Sequence, residues 1–381
     1  MVISNKPLQF IIAILIACLP VFGFSNNPTE STPAHTETTQ VAHEAAAASG
    51  DETSEIKQQI KEVIGHHVLD GHEFSLFADK ETGAHYGFPL PIILWDNGEL
   101  HVFSSSEFHH GEAVAESKGN FYKLHHEKIY KTDAAGTLTE EHGHPTNAKP
   151  IDLSITKGVL TIMVVALLMF LLFTSLAKSY AKNGGISAGA GRFFEPIVLY
   201  IRDEIAIPNI GEKHYKRYMS YLLTIFFFVW FLNIFGLTPL GINVTGNIAI
   251  TFGLAVITFI ITTLTANKNY WGHIFWMPGV PTPMKIILAP IELLGVFIKP
   301  FALMIRLYAN IFAGHVVLMS LIGLIFIFKS WLGSSLSFML SFAISIIEIL
   351  VALLQAYIFT MLSALYFGSA VEEHHHEEAH H

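Results

Sequence analysis

Five apolar stretches separated by polar segments dominate the chain after residue 157, at residues 158–177, 218–235, 248–266, 286–328 and 335–367. The first three approach the roughly 20 residues that carry a helix across a bilayer core of about 30 Å. The last two exceed a perpendicular crossing, so they must tilt steeply or break. The front of the chain is patterned differently. One short apolar run at 8–24 follows the single cation Lys6 and ends in Ser25-Asn26-Asn27, which predicts a signal peptide over residues 1–25. Residues 26–53, rich in Thr, Glu, Ala and Ser, carry too little apolar surface to fold and read as a flexible linker. Apolar residues return at helical spacing over 55–68. The strand-like runs 91–95 and 101–103 then flank Asp96-Asn97-Gly98, a hairpin signal because Asn and Gly accept positive φ. The pattern predicts an all-α polytopic membrane protein of five spanning helices over residues 151–370. The last two, joined by the polar loop 329–335, form a tilted antiparallel hairpin. A small α/β domain precedes them at 54–150, and a tail follows at 371–381.

Composition agrees with the membrane reading, and loop charge orients it. Half of the residues are hydrophobic and 14% are charged, against roughly 25% charged in soluble domains. The net charge of −9 resides mainly in the front half and the tail, which argues against a nucleic-acid partner. Between the first and second spans lie Lys178, Lys182, Arg192, Arg202, Lys213, Lys216 and Arg217, while residues 241–247 between the second and third carry no cation. The positive-inside rule makes the first of these loops cytoplasmic, which exports the front domain and leaves the C-terminus inside. Residues 193–207 alternate apolar and charged faces and are expected to lie along the membrane surface. The lone cysteine, Cys18, falls within the signal-like run, where residues 15–18 also fit a lipoprotein cleavage box; ordinary cleavage leaves a mature chain without disulfides.

Histidines crowd the front domain. His66, His67, His72, His109, His110, His125 and His126 could supply imidazoles to a metal, but their spacing matches no structural zinc pattern. A solvated, pH-responsive surface is the simpler reading, and the same holds for His374-His375-His376-Glu377-Glu378. No metal or cofactor is called for.

The chemistry lies in the last two spans. Arg306 stands in an apolar run whose only other formal charges are Glu292 and Lys299. A guanidinium at a helix centre costs roughly 2.5 to 3.5 kcal/mol and cannot escape by losing its proton. Spacing by sevens puts Glu292, Lys299 and Arg306 on one stripe, with Asn310 about 40° from Arg306 and His315 nearly opposite. In the fifth span Ser341, Glu348 and Gln355 are again spaced by sevens, with Ser345 adjacent. Arg306 and Gln355 are equidistant from a turn centred near residue 331, and so are His315 and Glu348. Each pair therefore shares a level in an antiparallel hairpin, although the opposed faces of Arg306 and His315 prevent both pairs from touching without curvature.

Pro290, Glu292, Lys299-Pro300, the run Arg306-Leu307-Tyr308-Ala309-Asn310-Ile311-Phe312-Ala313-Gly314-His315, then Glu348 and Leu354-Gln355-Ala356-Tyr357-Ile358-Phe359 resemble the subunit a family of bacterial rotary F-type ATP synthases. The resemblance runs from about residue 192 to the tail, is strongest after Pro290, and leaves the exported domain outside. It implies a stator subunit, not catalytic by itself, in the bacterial inner membrane. Its implied partners are lipid, the c-ring, the subunit b stalk and the soluble ATPase sector. Arg306 would face an essential carboxylate on the c-ring, with Asn310 and Gln355 beside it. His315 and Glu348 would line the exported-side proton path, and Glu292, Lys299 and Ser345 would support. Other bacterial members often place an acid where this chain has His315 and a histidine where it has Glu348. A cation or metal transporter with a His-rich capture domain is the alternative, but the chain shows neither internal repeats nor midplane carboxylate clusters. An intramembrane enzyme would need a motif such as His-Glu-x-x-His, and the spans contain none.

Overall fold

The computed structural model describes residues 70–78, 85–141, 144–182, 189, 191–238, 242–276, 280–327 and 331–372. The signal-like run, the linker, the helix expected over 55–68 and the tail from 373 lie outside these residues.

Short antiparallel strands come first. β1 (Glu73–Ala78) pairs with β2 (His85–Pro89), and β3 (Pro91–Asp96) lies between β4 (Glu99–Ser104) and β10 (Ile151–Asp152). β5 (Val114–Ser117), β6 (Asn120–His125) and β7 (Lys128–Thr132) form a meander, and β8 (Glu140–Glu141) pairs with β9 (His144–Pro145). Asn97 and Gly98 turn β3 into β4 with φ of 49° and 87°, the two positive values that a tight two-residue hairpin demands. Ile92 and Leu94 point inward from β3 to meet Phe108, Ala115, Tyr122 and Ile129, while Trp95 stays exposed. Lys131 Nζ lies 2.6 Å from Asp96 Oδ2 and Tyr122 donates to the same oxygen at 3.1 Å, tying the meander to β3. Among the described residues this domain is strands and turns with one 3-10 helix (Ser105–Gly111); the helix expected over 55–68, the α part of the expected mixture, lies outside them. Strand β10 carries the sheet two residues past 150.

His72 closes the base of this domain. Burial disfavours charge on its ring, but Asp152 Oδ2 at 2.9 Å from Nε2 and Glu127 Oε2 at 4.0 Å from Nδ1 outweigh burial and raise its pKa to about 9. The folded value lies above the ordinary value of about 6.5. The clamp therefore contributes fully below about pH 6.5, and its contribution is lost as pH rises through about 9. Thermal unfolding of the β-rich part should shift downward across that window and lose this slope in His72→Gln. A His72 ring resonance titrating near the ordinary value would contradict the clamp.

Five helices among the described residues are long and apolar enough to cross a membrane. They are α1 (Lys157–Lys182), α4 (Tyr215–Gly236), α5 (Ile248–Thr265), α7 (Thr282–Ile327) and α8 (Trp331–Val371). Between them lie α2 (Gly191–Tyr200), a π-helical turn (Ile201–Ala206), α3 (Ile207–Ile210) and α6 (Lys268–Phe275). Helix α4 is apolar on every side and central, burying Leu222, Ile225, Phe226, Phe227, Val229 and Leu232. It packs on α8, α1 and the π turn. The 46 residues of α7 span about 69 Å at 1.5 Å per residue, more than twice the bilayer core. Pro290 and Pro300 interrupt its hydrogen-bond ladder and give it places to bend.

One local expectation is refined and another changes. Residues 193–207, expected along the membrane surface, pack one face inward: Ile201, Ile205 and Ala206, with Ile210 just beyond, are buried in the hydrophobic core, and this segment packs against the C-terminal half of α8. Gly368 permits that approach, because a Cβ there would collide with the Asn209 carbonyl oxygen. The expected polar loop 329–335 is shorter, since α8 begins at Trp331 and only 328–330 fall outside the described residues. Gly333, Ser334 and Ser335 suit a helix start as well as a loop, and Ser334 Oγ donates back across the turn to Ile325 O at 3.1 Å.

Candidate functional site

The inward face of α7 is built from Val296, Leu303, Leu307, Ile311 and His315, all buried, at spacings of seven and four. Its outward face presents Phe297, Ile298, Phe301 and Ile305, each at least half exposed. Arg306 and Asn310 lie on the exposed side and His315, only 6% exposed, on the buried side. Among the described residues no carboxylate forms an ion pair with Arg306. Pairing with Glu292 is ruled out by length, because 14 residues of helix separate them by about 21 Å. The arginine is thus a charge on an apolar open face.

Helix α8 buries the stripe Ser337, Ser341, Glu348, Ala352, Gln355 and Phe359. Ser341 Oγ donates to Ser337 O and Ser345 Oγ to Ser341 O, both at 2.9 Å, so these hydroxyl protons are committed to their own helix. Glu348 is different. It is 5% exposed, and neither carboxylate oxygen has a hydrogen-bond partner among the described residues. Buried polar atoms are nearly always bonded, so this carboxyl stands out among the described side chains.

Glycines bring the helices to this level. A Cβ on Gly314 would lie 2.6 Å from Glu348 Oε1, so the Glu348 side chain rests in the space that Gly314 leaves on α7. A Cβ on Gly236, at the end of α4, would lie 3.4 Å from both His315 Nε2 and Ile242 O. His315 and Glu348 therefore sit at adjoining levels. His315 faces the end of α4 and makes no hydrogen bond to the carboxyl. Lys299 Nζ lies 5.8 Å from the centre of the Tyr366 ring, linking α7 to the far end of α8. Glu292 is half-buried one heptad before it.

Sequence reasoning missed three residues of this region. Asn233 of α4, 2% exposed, donates from Nδ2 to Ala352 O at 3.3 Å and accepts from Thr245 Oγ1 at 2.7 Å. Asn243 Oδ1 accepts from Gly246 N at 2.9 Å, while its buried Nδ2 has no partner among the described residues. A lone Asn in the otherwise apolar run 218–235 was the available signal. In the sequence the turn 242–247 is distinguished only by its lack of cations. No group of three or more His, Cys, Asp or Glu among the described residues is arranged to hold a metal ion.

Fold and site together define a polytopic helical membrane protein with a buried carboxyl and imidazole between its helices and one arginine on an open apolar face. The chain belongs to the ATP synthase A chain family, which matches residues 159–368. That match starts at the first span, earlier than the motif resemblance from residue 192. Residues 63–153 match a separate domain of unknown function. Among relatives, the chain is 39% identical over 263 residues to ATP synthase subunit a of Anaeromyxobacter sp., covering 67% of this chain and 64% of that protein. Identity to the same subunit of Chloroherpeton thalassium is 37% over 310 residues, covering 76% and 90%. For Myxococcus xanthus it is 42% over 257 residues, covering 66% and 84%.

Proposed function

We propose that this chain is the stator subunit of the membrane sector of an F-type ATP synthase, coupling proton flow to rotation of a c-ring. The observation that carries the reading is Arg306, a guanidinium on the open face of α7 with no carboxylate partner among the described residues. A rotor carboxylate crossing lipid must be neutral, because an isolated ionised one is costly there. On meeting Arg306 its ionised form is favoured, so it gives up its proton into one aqueous half-channel and reloads from the other after rotation. The fixed positive charge also repels protons and keeps the half-channels from short-circuiting.

In this reading α7 and α8 form the tilted antiparallel hairpin that curves along the c-ring. Asn310 and Gln355 flank the arginine, and His315 and Glu348 line the half-channel on the exported side. Glu292, Lys299 and Ser345 support. The β-rich domain lies outside the inner membrane, the C-terminus is cytoplasmic, and the chain is not catalytic by itself. Its partners are the c-ring, the subunit b stalk, the soluble ATPase sector and lipid. The driving force is about 2.3 kcal/mol per proton for each 100 mV.

Mild detergent extraction through an affinity tag on this chain tests the assignment. It should bring down a c-ring and a soluble ATPase together. Recovery of the chain alone, with cation uptake by vesicles containing only it, would favour a transporter with a His-rich capture domain instead.

A further inference from the structure

Asp70 joins the β-rich domain to the membrane helices in a way that nothing above explains. Its Oδ1 accepts from Gly158 N at 2.9 Å, and its Oδ2 accepts from Thr156 Oγ1 at 2.9 Å and from Asn247 Nδ2 at 3.4 Å. One carboxylate therefore holds the start of α1 and the start of α5. The fit is close: a Cβ on Gly158 would lie 3.0 Å from both Asp70 oxygens. The neighbouring backbone reinforces the contact, since Lys157 N donates to Gly71 O at 3.0 Å, and Phe74 packs against the membrane core.

Asn247 is a connecting residue. Its Oδ1 caps α5 by accepting from Ala249 N at 3.0 Å, and its own N–H donates to Val244 O at 3.1 Å, closing the turn 242–247. Within that turn Thr245 donates to Asn233, which reaches the Ala352 carbonyl one helical turn beyond Glu348. Ile242 of the same turn lies with His315 against Gly236. A continuous set of contacts thus leads from Asp70 to the buried carboxyl and imidazole.

We propose that Asp70 is a positioning residue for the half-channel on the β-domain side: it clamps the first span to the 242–247 turn and so holds Asn233, His315 and Glu348 in register. The domain of unknown function would then be part of the proton path's mouth, attached through one charged acceptor. Hydrogen bonds to a carboxylate are roughly twice as strong as neutral ones, and a negative charge suits a helix N-terminus. The charges around it are Lys157 and Glu127, with His72 and Asp152 paired alongside. This inference rests on the proton-path reading of Glu348 and His315 given above.

The test uses the complete synthase in vesicles, with proton concentration set independently on each side. Asp70→Asn keeps one acceptor oxygen. Asn247→Asp keeps the cap oxygen for Ala249 but sets a like charge against Asp70. Each single change should slow ATP synthesis about three- to tenfold, within the range of direct contacts. The loss should appear as a raised proton requirement on the β-domain side only. The exchange Asp70→Asn with Asn247→Asp restores the amide–carboxylate pair between the two positions, though not the second acceptor facing Thr156, and should make synthesis faster than in either single. Parental rates in both singles overturn the clamp, as does an exchange variant that fails to assemble or is no faster than the slower single. Arg306→Ala in the same vesicles separates the two claims. If that variant still pumps, the proton-path reading fails; if it is blocked while the Asp70 and Asn247 variants behave as the parent, the clamp alone fails.

Discussion

Replacing Arg306 with alanine should abolish ATP-driven proton pumping in inverted vesicles while the complex still assembles. Assembly is expected to persist because the side chain is exposed and pairs with no described carboxylate, so its removal leaves no buried charge stranded. Pumping is expected to fail because an opposite charge a few ångströms away shifts a carboxylate's ionisation equilibrium by roughly 10- to 1000-fold, and that shift is what empties the rotor site. Lysine should rescue poorly. It keeps a charge but lacks the planar, permanently protonated fork. Coupled pumping at the parental rate by Arg306→Ala would remove the mechanism, whatever the complex contains.

The second large effect concerns His315 and Glu348. Each is buried, each faces a glycine of a neighbouring helix, and the carboxyl has no hydrogen-bond partner among the described residues. Alanine at either position should cut ATP synthesis strongly, since each change leaves the remaining polar group in a half-furnished site. The reciprocal exchange, His315→Glu with Glu348→His, keeps one acid and one imidazole at adjoining levels. It should recover part of the loss. Gly314 sets a limit on the recovery, because the imidazole placed at 348 must fit against the glycine that now accommodates a carboxyl. Recovery should register as an interaction of about 0.5 to 3 kcal/mol in a double-mutant cycle on proton-transport rate. A double variant no better than the product of its singles would show two independent residues and end the shared-path assignment.

Much of this protein follows from the chain alone, and the reason is solvent. In lipid a backbone must satisfy its own hydrogen bonds, so an apolar run of 18 or more residues has little choice but a helix, and the five membrane-length helices were legible as runs of composition. The Asn97-Gly98 hairpin was legible because few residue pairs accept two positive φ values. Arg306 and Glu348 stood out because a charge within such a run is too costly to be incidental.

What stayed hidden depends on residues far apart in the chain. Periodicity put Arg306 and His315 on opposite faces of α7, but only packing against α4 and α8 decided which face is buried. Alternation gave 193–207 an apolar face, but the burial of Ile201 and Ile205 against α8 needed Gly368 to admit the Asn209 carbonyl. Asn233 acquires its place from Thr245 and Ala352, and Asp70 from Gly158 and Asn247. A single buried amide or carboxylate has no period and no neighbouring motif to announce it. Its partner is chosen by the tertiary fold, because an unbonded polar group in that interior costs more than almost any rearrangement that would satisfy it.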